Sequence, residues 1–214
     1  MDAISTTGSR AGRPTKEQAE ARRIALLDCA ARHFLDQGYE RTTIEAIAAD
    51  VAMTKRTIYA GFTDKESLFR AALKRALEMH AVSQERIEAT RTDDLETTLI
   101  NIAMLRIERV EMPPGILLQR LINTESYRFP DILMMSYETG ALPTVRFLGR
   151  ILKEESRAGR LSLSDPVLAA NTFMSMVVSA PVTLMVSGNP LSADDLQERV
   201  AFAVRLFLEG AKRR

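Results

Sequence analysis

The stretch that decides the fold is Thr42 to Phe62, TTIEAIAADVAMTKRTIYAGF. Its opening, Thr42-Thr43-Ile44-Glu45, has the pattern of a capping box, a hydroxyl residue with a glutamate three places on. It starts a short helix with Ile44, Ile47, Ala48 and Val51 inward. Ala52-Met53 leaves room only for a turn. Thr54 then caps a second short helix, Lys55 to about Ala60, which Gly61-Phe62 ends. Upstream, an amphipathic helix runs from about Thr15 to Gln37, with Ile24, Leu27, Ala31 and Phe34 on one face. Gly38 stands where a C-cap glycine is expected. Three helices, the last two joined by a turn too tight for antiparallel packing, make a helix-turn-helix unit.

In such a unit the last helix enters the major groove and offers its N-terminal residues to base edges. Those residues are Lys55, Arg56 and Thr57, with Tyr59 one turn beyond Lys55. Arginine and lysine donate to guanine acceptors, and threonine reaches a base edge or a phosphate. Ile58 and Phe62 share the opposite face and hold the helix to the core. Thr42 and Thr43 sit at a helix N-terminus, where free N–H groups favour a phosphate. Lys65, in the first turn of the following helix, can reach the same backbone. The bland alternatives are a solvated face for Lys55 and Arg56 and a half-buried packing aromatic for Tyr59. Ahead of this unit, residues 1–14 read as a flexible basic arm whose Gly12-Arg13-Pro14 suits a minor groove.

The N-terminal segment resembles the TetR family of transcriptional regulators. The likeness is carried by Leu26-Leu27-Asp28-Cys29-Ala30, Phe34, Gly38-Tyr39, Thr42-Thr43, Ile47-Ala48 and Val51. It continues through Thr54 to Tyr59, Phe62 and Lys65-Glu66-Ser67-Leu68-Phe69, so about residues 17–70 are covered. The resemblance implies an all-helical dimer on a palindromic operator, released by a small molecule in the C-terminal domain. It puts the recognition helix on Thr54 to Ala60 and phosphate contacts on Tyr59 and Lys65. The family often has a polar residue two places after the tyrosine, whereas this chain has Gly61. Leu117 to Leu121, Glu125, Phe129-Pro130 and Tyr137 are similar to the C-terminal domain of the family branch that regulates efflux and quorum-sensing genes.

The rest of the chain also reads as helix, giving an all-α fold of about nine helices with no sheet. A second capping box, Thr63-Asp64-Lys65-Glu66, opens a helix to about Thr90. The division expected is residues 1–14 as arm, 15–62 as DNA-binding domain and 63–214 as ligand-binding and dimerisation domain. Seven of ten methionines lie from Met104 onward. They are plain core, or the wall of an adaptable cavity, lined by Met104, Met134, Tyr137, Phe147, Phe173 and Met176. Two C-terminal helices, Asp165 to Ser187 and Ser192 to Gly210, are either buried in the subunit or paired with their symmetry mates in a four-helix interface. The interface reading uses Asn171, Ser175, Ser179, Leu196, Val200, Ala203 and Phe207.

Pro166 to Ala193 carries no charged residue, long enough to span a bilayer. Its polar stripe Asn171, Ser175, Ser179 and Thr183, its prolines and its acidic flanks favour burial in protein instead. Met1 to Arg23 lacks the apolar core of a secretory signal. One cysteine fits a reducing, cytoplasmic compartment. Cys29 reads as a small buried hydrophobe, and His33 and His80 as surface or edge residues without partners at helical spacing. No phosphate loop, zinc motif, nucleophile elbow or Cys/His pair is present, so neither a cofactor nor enzymatic activity is expected. The net charge of +1 divides into 13 basic against 10 acidic residues over 1–75 and 16 against 18 over 76–214. The N-terminal third is therefore the side that faces an anion. The expected partners are double-stranded DNA, a second copy of the chain and a small-molecule effector. A DNA-binding regulator controlled by protein partners is the competing reading, and an enzyme the remote one.

Overall fold

Thr15 accepts a hydrogen bond from the Gln18 amide at 3.2 Å while the Gln18 side chain accepts from the Thr15 amide at 3.1 Å. This reciprocal cap opens α1, Lys16–Arg41. Gly38, with φ 77° and ψ 173°, breaks the helical path inside it. Glycine alone takes that conformation without strain. The cap of α2, Ile44–Asp50, is Thr43, not Thr42. Ala52 lies in the turn with φ 51°. Thr54 caps α3, Lys55–Gly61, as its sequence implies. The next capping box is shifted by one place: Asp64 and Ser67 cap each other at the start of α4, Lys65–His80.

The computed structural model describes residues 15–212. Within them the chain is all-helical, with eleven α-helices, a π-helical turn and no strand. The remaining elements are α5, Gln84–Glu88; α6, Leu95–Glu111; α7, Pro113–Glu125; and α8, Asp131–Ser136. The π turn Tyr137–Ala141 leads into α9, Leu142–Arg157, then α10, Pro166–Val186, and α11, Ala193–Ala211. Two breaks raise the number above nine. The expected helix from Thr63 to Thr90 stops at His80, because Arg109 of α6 donates to the carbonyls of His80 at 2.6 Å and Met79 at 3.2 Å. Its guanidinium takes the place of the next helical turn. The Asp131 to Arg157 stretch is divided by the π turn that holds Gly140.

Two apolar cores form. One gathers α1 to α4 with Leu118, Leu121 and Ile122 of α7, and with Phe129 and Ile132. Phe34, Tyr39, Phe69 and Phe129 meet there at ring-centroid separations of 4.8–6.0 Å. The other joins α6, α9, α10 and α11 around Phe173, Leu148 and Leu152. The expected boundary at residue 62 is thus crossed by packing, since α7 belongs in part to the N-terminal core. α10 is long and apolar enough to cross a membrane, and it buries Ala170, Phe173, Met174 and Val177 in the second core. Pro181 is accommodated inside it and does not end it.

Candidate nucleic-acid interface and ligand cavity

α3 has seven residues, and Ile58 is its single buried one. Thr54, Lys55, Arg56, Thr57 and Tyr59 are all exposed, Tyr59 at 48%, with about half of its surface covered. The Thr54 hydroxyl accepts from the Thr57 amide at 3.1 Å and lies 2.9 Å from the Thr57 hydroxyl. Lys55 pairs with Glu45 on α2, holding that carboxyl below its usual range. The pair is exposed at both ends, so it competes weakly with an anion from outside. Thr43, also exposed, accepts from the Ala46 amide at 3.2 Å.

Three expectations about this surface change. Thr42 is fully buried, and its hydroxyl hydrogen-bonds to the carbonyls of His33 and Gly38 at 3.1 and 2.8 Å. It closes the C-terminal end of α1 and is turned away from any phosphate. The Lys65 ammonium turns inward, donating to the Glu40 carbonyl at 3.1 Å and lying 4.4 Å from the centre of the Tyr39 ring. Burial lowers its pKa. The third concerns His33, whose Nε2 lies 2.8 Å from Asp50 Oδ2 and bridges α1 to the end of α2. Arg13 and the arm lie outside the described residues.

Behind this surface α7 reaches the end of α1. The buried carboxylate of Glu125 accepts from the Tyr39 amide at 3.2 Å, directly after the Gly38 kink. Arg128 lies 4.7 Å from the centre of the Tyr39 ring and pairs with Glu40. Arg70 binds both carboxylate oxygens of Asp131 at 2.7 and 3.0 Å.

A cavity of about 410 Å³ opens between α4, α6, α7, the π turn and α10. That is the size range of small-molecule sites. Its wall includes Leu77, His80, Arg106, Arg109, Leu118, Ile122, Tyr137, Val178 and Val182, and no aspartate or glutamate. Where α6 and α7 meet it the packing is tight: a Cβ on Gly115 would lie 2.6 Å from both His80 Nε2 and the Val110 carbonyl. Of the six lining residues expected from sequence, Tyr137 alone belongs to this wall; its hydroxyl donates to Asn171 at 3.0 Å. Phe147 and Phe173 are buried core. Met134 is exposed, Met104 faces a shallow outer surface beside Arg86 and Glu108, and Met176 lies in a groove with Leu168 and Phe207. Residue type alone did not fix which way these side chains face. Arg106 was missed, although the sequence marks it: a charge on the stripe Leu99, Ile102, Ala103, Arg106, Val110.

The helices expected to pair between subunits also need correction. Leu196, Val200 and Ala203 are buried within the subunit, and Phe207 packs at 5.1 Å on Phe173. Asn171 is engaged by Tyr137. Ser175 and Ser179 are exposed, with Ser179 also at the cavity. The large apolar residues that α10 and α11 leave outside are Val167, Leu168, Phe202 and Leu206, which are 53%, 61%, 60% and 52% exposed.

Two family models match the chain. Residues 26–72 match that of bacterial regulatory proteins of the tetR family, and residues 97–210 that of the AefR-like transcriptional repressor C-terminal domain. The HTH-type transcriptional repressor ComR of Escherichia coli (strain K12) is 40% identical over 63 residues. That match spans 29% of this chain and 30% of ComR. The Flavonoid-responsive Regulator FrrA has a similar structure, with a TM-score of 0.73 and 28% identity over 91% of this chain and 99% of that one. A TetR-family transcriptional regulator from Mesorhizobium loti MAFF303099 shares the fold at a TM-score of 0.75, with 23% identity over 94% of this chain and 100% of that one.

Proposed function

The chain belongs to the TetR family of transcriptional regulators, a family of DNA-binding proteins and not of enzymes, and we propose that it is a homodimeric repressor released from a palindromic operator by a small organic effector. The observation that carries the DNA half of this reading is α3. A helix that buries one residue and exposes Lys55, Arg56, Thr57 and Tyr59 together is shaped to read a groove, not to build a core. A second copy supplies the second reader, and two-fold symmetry makes the operator a palindrome with half-sites about one helical turn apart. The exposed Leu168, Phe202 and Leu206 give α10 and α11 an apolar face suited to a subunit interface.

The effector half rests on the cavity. Leu77, Leu118 and Ile122 line it and also belong to the N-terminal core, so a ligand there presses on residues that position α1. FrrA, by its name, responds to flavonoids, a precedent for a small aromatic effector in a protein of this shape. Such a repressor works in the cytoplasm, where its operator is. Selection of bound fragments from a random DNA pool by the purified protein tests the proposal. The expected yield is one enriched inverted repeat, bound by a dimer in sedimentation. A pool without enrichment, or a monomer on a single half-site, would overturn it.

A further inference from the structure

The cavity wall carries two arginines and no acid. They differ in what they bind. Arg109 is spent on structure, donating to the carbonyls of His80 and Met79. Arg106 is not spent: among the described residues it has neither an ion pair nor a hydrogen bond, and the nearest atom to a Cβ built on Gly140 is its Nη2, at 3.7 Å. Its guanidinium therefore lies against the π turn, inside the wall. Burial, with Arg109 alongside, lowers its pKa. Arg106 is half-buried; a cation partly withdrawn from water with no counter-ion costs stability, and an arriving anion offsets that cost. Leu77, Leu118, Ile122, Val178 and Val182 give the wall an aliphatic side, and Gln119, Asn123 and Ser136 are among its neutral polar members. The π turn adds to the case, since such turns collect at functional sites.

We propose that the effector is an organic carboxylate with an apolar or aromatic body, and that Arg106 is the residue that binds its charge. The proposal rests on the cavity being the effector site. A carboxylate matches the planar fork of a guanidinium through two parallel hydrogen bonds. The aliphatic side of the wall takes the body, and the absence of acidic lining residues spares the ligand any repulsion.

Calorimetric titration of the purified protein with biphenyl-4-carboxylate and with biphenyl-4-carboxamide tests this. The two probes share a body and differ in charge. The wild type is expected to bind the carboxylate at least tenfold tighter. Arg106→Met should bring the two to within about threefold of each other, and Arg106→Lys should restore part of the preference. Equal affinities in the wild type, or a preference that survives Arg106→Met, would overturn the anion assignment and leave the cavity reading standing. The wild-type comparison and Arg106→Lys decide the matter even where Arg106→Met fails to fold. Val182→Trp, which fills the cavity, separates the two claims: it should abolish binding of both probes. Probes that still bind it sit elsewhere, and the cavity reading then fails together with this one, as it does if neither probe binds the wild type.

Discussion

His80 ends α4 with its Nε2 2.7 Å from the Arg109 carbonyl. A carbonyl can only accept, so that nitrogen carries the proton and the ring is held in one neutral tautomer. Burial, with Arg109 and Arg106 close by, lowers its pKa below the ordinary histidine value of 6.5. The unfolded chain therefore takes up a proton there before the folded one does, and stability falls as pH drops below about 6.5. The melting temperature of the wild type should decline between pH 7 and 5.5. His80→Asn, which still donates to the carbonyl, should flatten that slope; an unchanged slope would assign the decline to another group. On α3, Arg56→Ala should weaken specific binding by about 1–3 kcal/mol and relax the preference at one base pair per half-site. Unchanged operator affinity at fixed salt would remove α3 as the reader. The exposure of Arg56 was legible in sequence because it depends on helix register within a few residues. Lys65 and His33 were not, because their partners Glu40 and Asp50 are 25 and 17 residues away. Nothing local reports a contact that folding brings together.

Helix starts were the most legible feature, since a cap is written in four consecutive residues. Thr15, Thr54, Asp165 and Ser192 all cap the helices that follow them. Helix ends made by tertiary contacts were not. α4 stops because an arginine 29 residues on takes its last carbonyl, and the π turn packs against α4, far earlier in the chain. The turn between α2 and α3 is a third case, and it carries a prediction. Ala52 sits at φ 51°, where a Cβ crowds the following carbonyl and costs about 1–2 kcal/mol. Relief of that strain exceeds the extra entropy glycine loses on folding, so Ala52→Gly should stabilise the chain by about 0.5–1 kcal/mol. Urea unfolding would show it as a higher midpoint with an unchanged slope. A lower midpoint would mean that the methyl group contributes packing that outweighs the strain.

The two ends of the molecule meet in α7. Leu118 and Ile122 belong at once to the cavity wall and to the core beneath the reading helices, and Glu125 one turn on holds the Tyr39 amide. On the far side, α10 and α11 show Leu168, Phe202 and Leu206. If this face is the proposed subunit interface, Phe202→Glu should turn the dimer into monomers in sedimentation, and an intact dimer would move the interface to another face. Composition pointed to these two helices, but only their packing separated the inward residues from the outward ones. Glu125 tests the connection between cavity and operator. Glu125→Ala leaves a buried amide without an acceptor, at a cost of about 1–3 kcal/mol, at the kink where α1 turns toward α2. Glu125→Gln keeps an acceptor at the same place. If the contact transmits the effector's signal, the ratio of operator dissociation constants with and without effector should shrink toward one in the alanine variant and recover in the glutamine variant. That ratio is a coupling free energy between two sites, and a general loss of stability does not by itself change it. An undiminished ratio in a folded Glu125→Ala protein would route the signal through α4 instead, where Leu77 touches the cavity and Lys65 begins the helix beside α1.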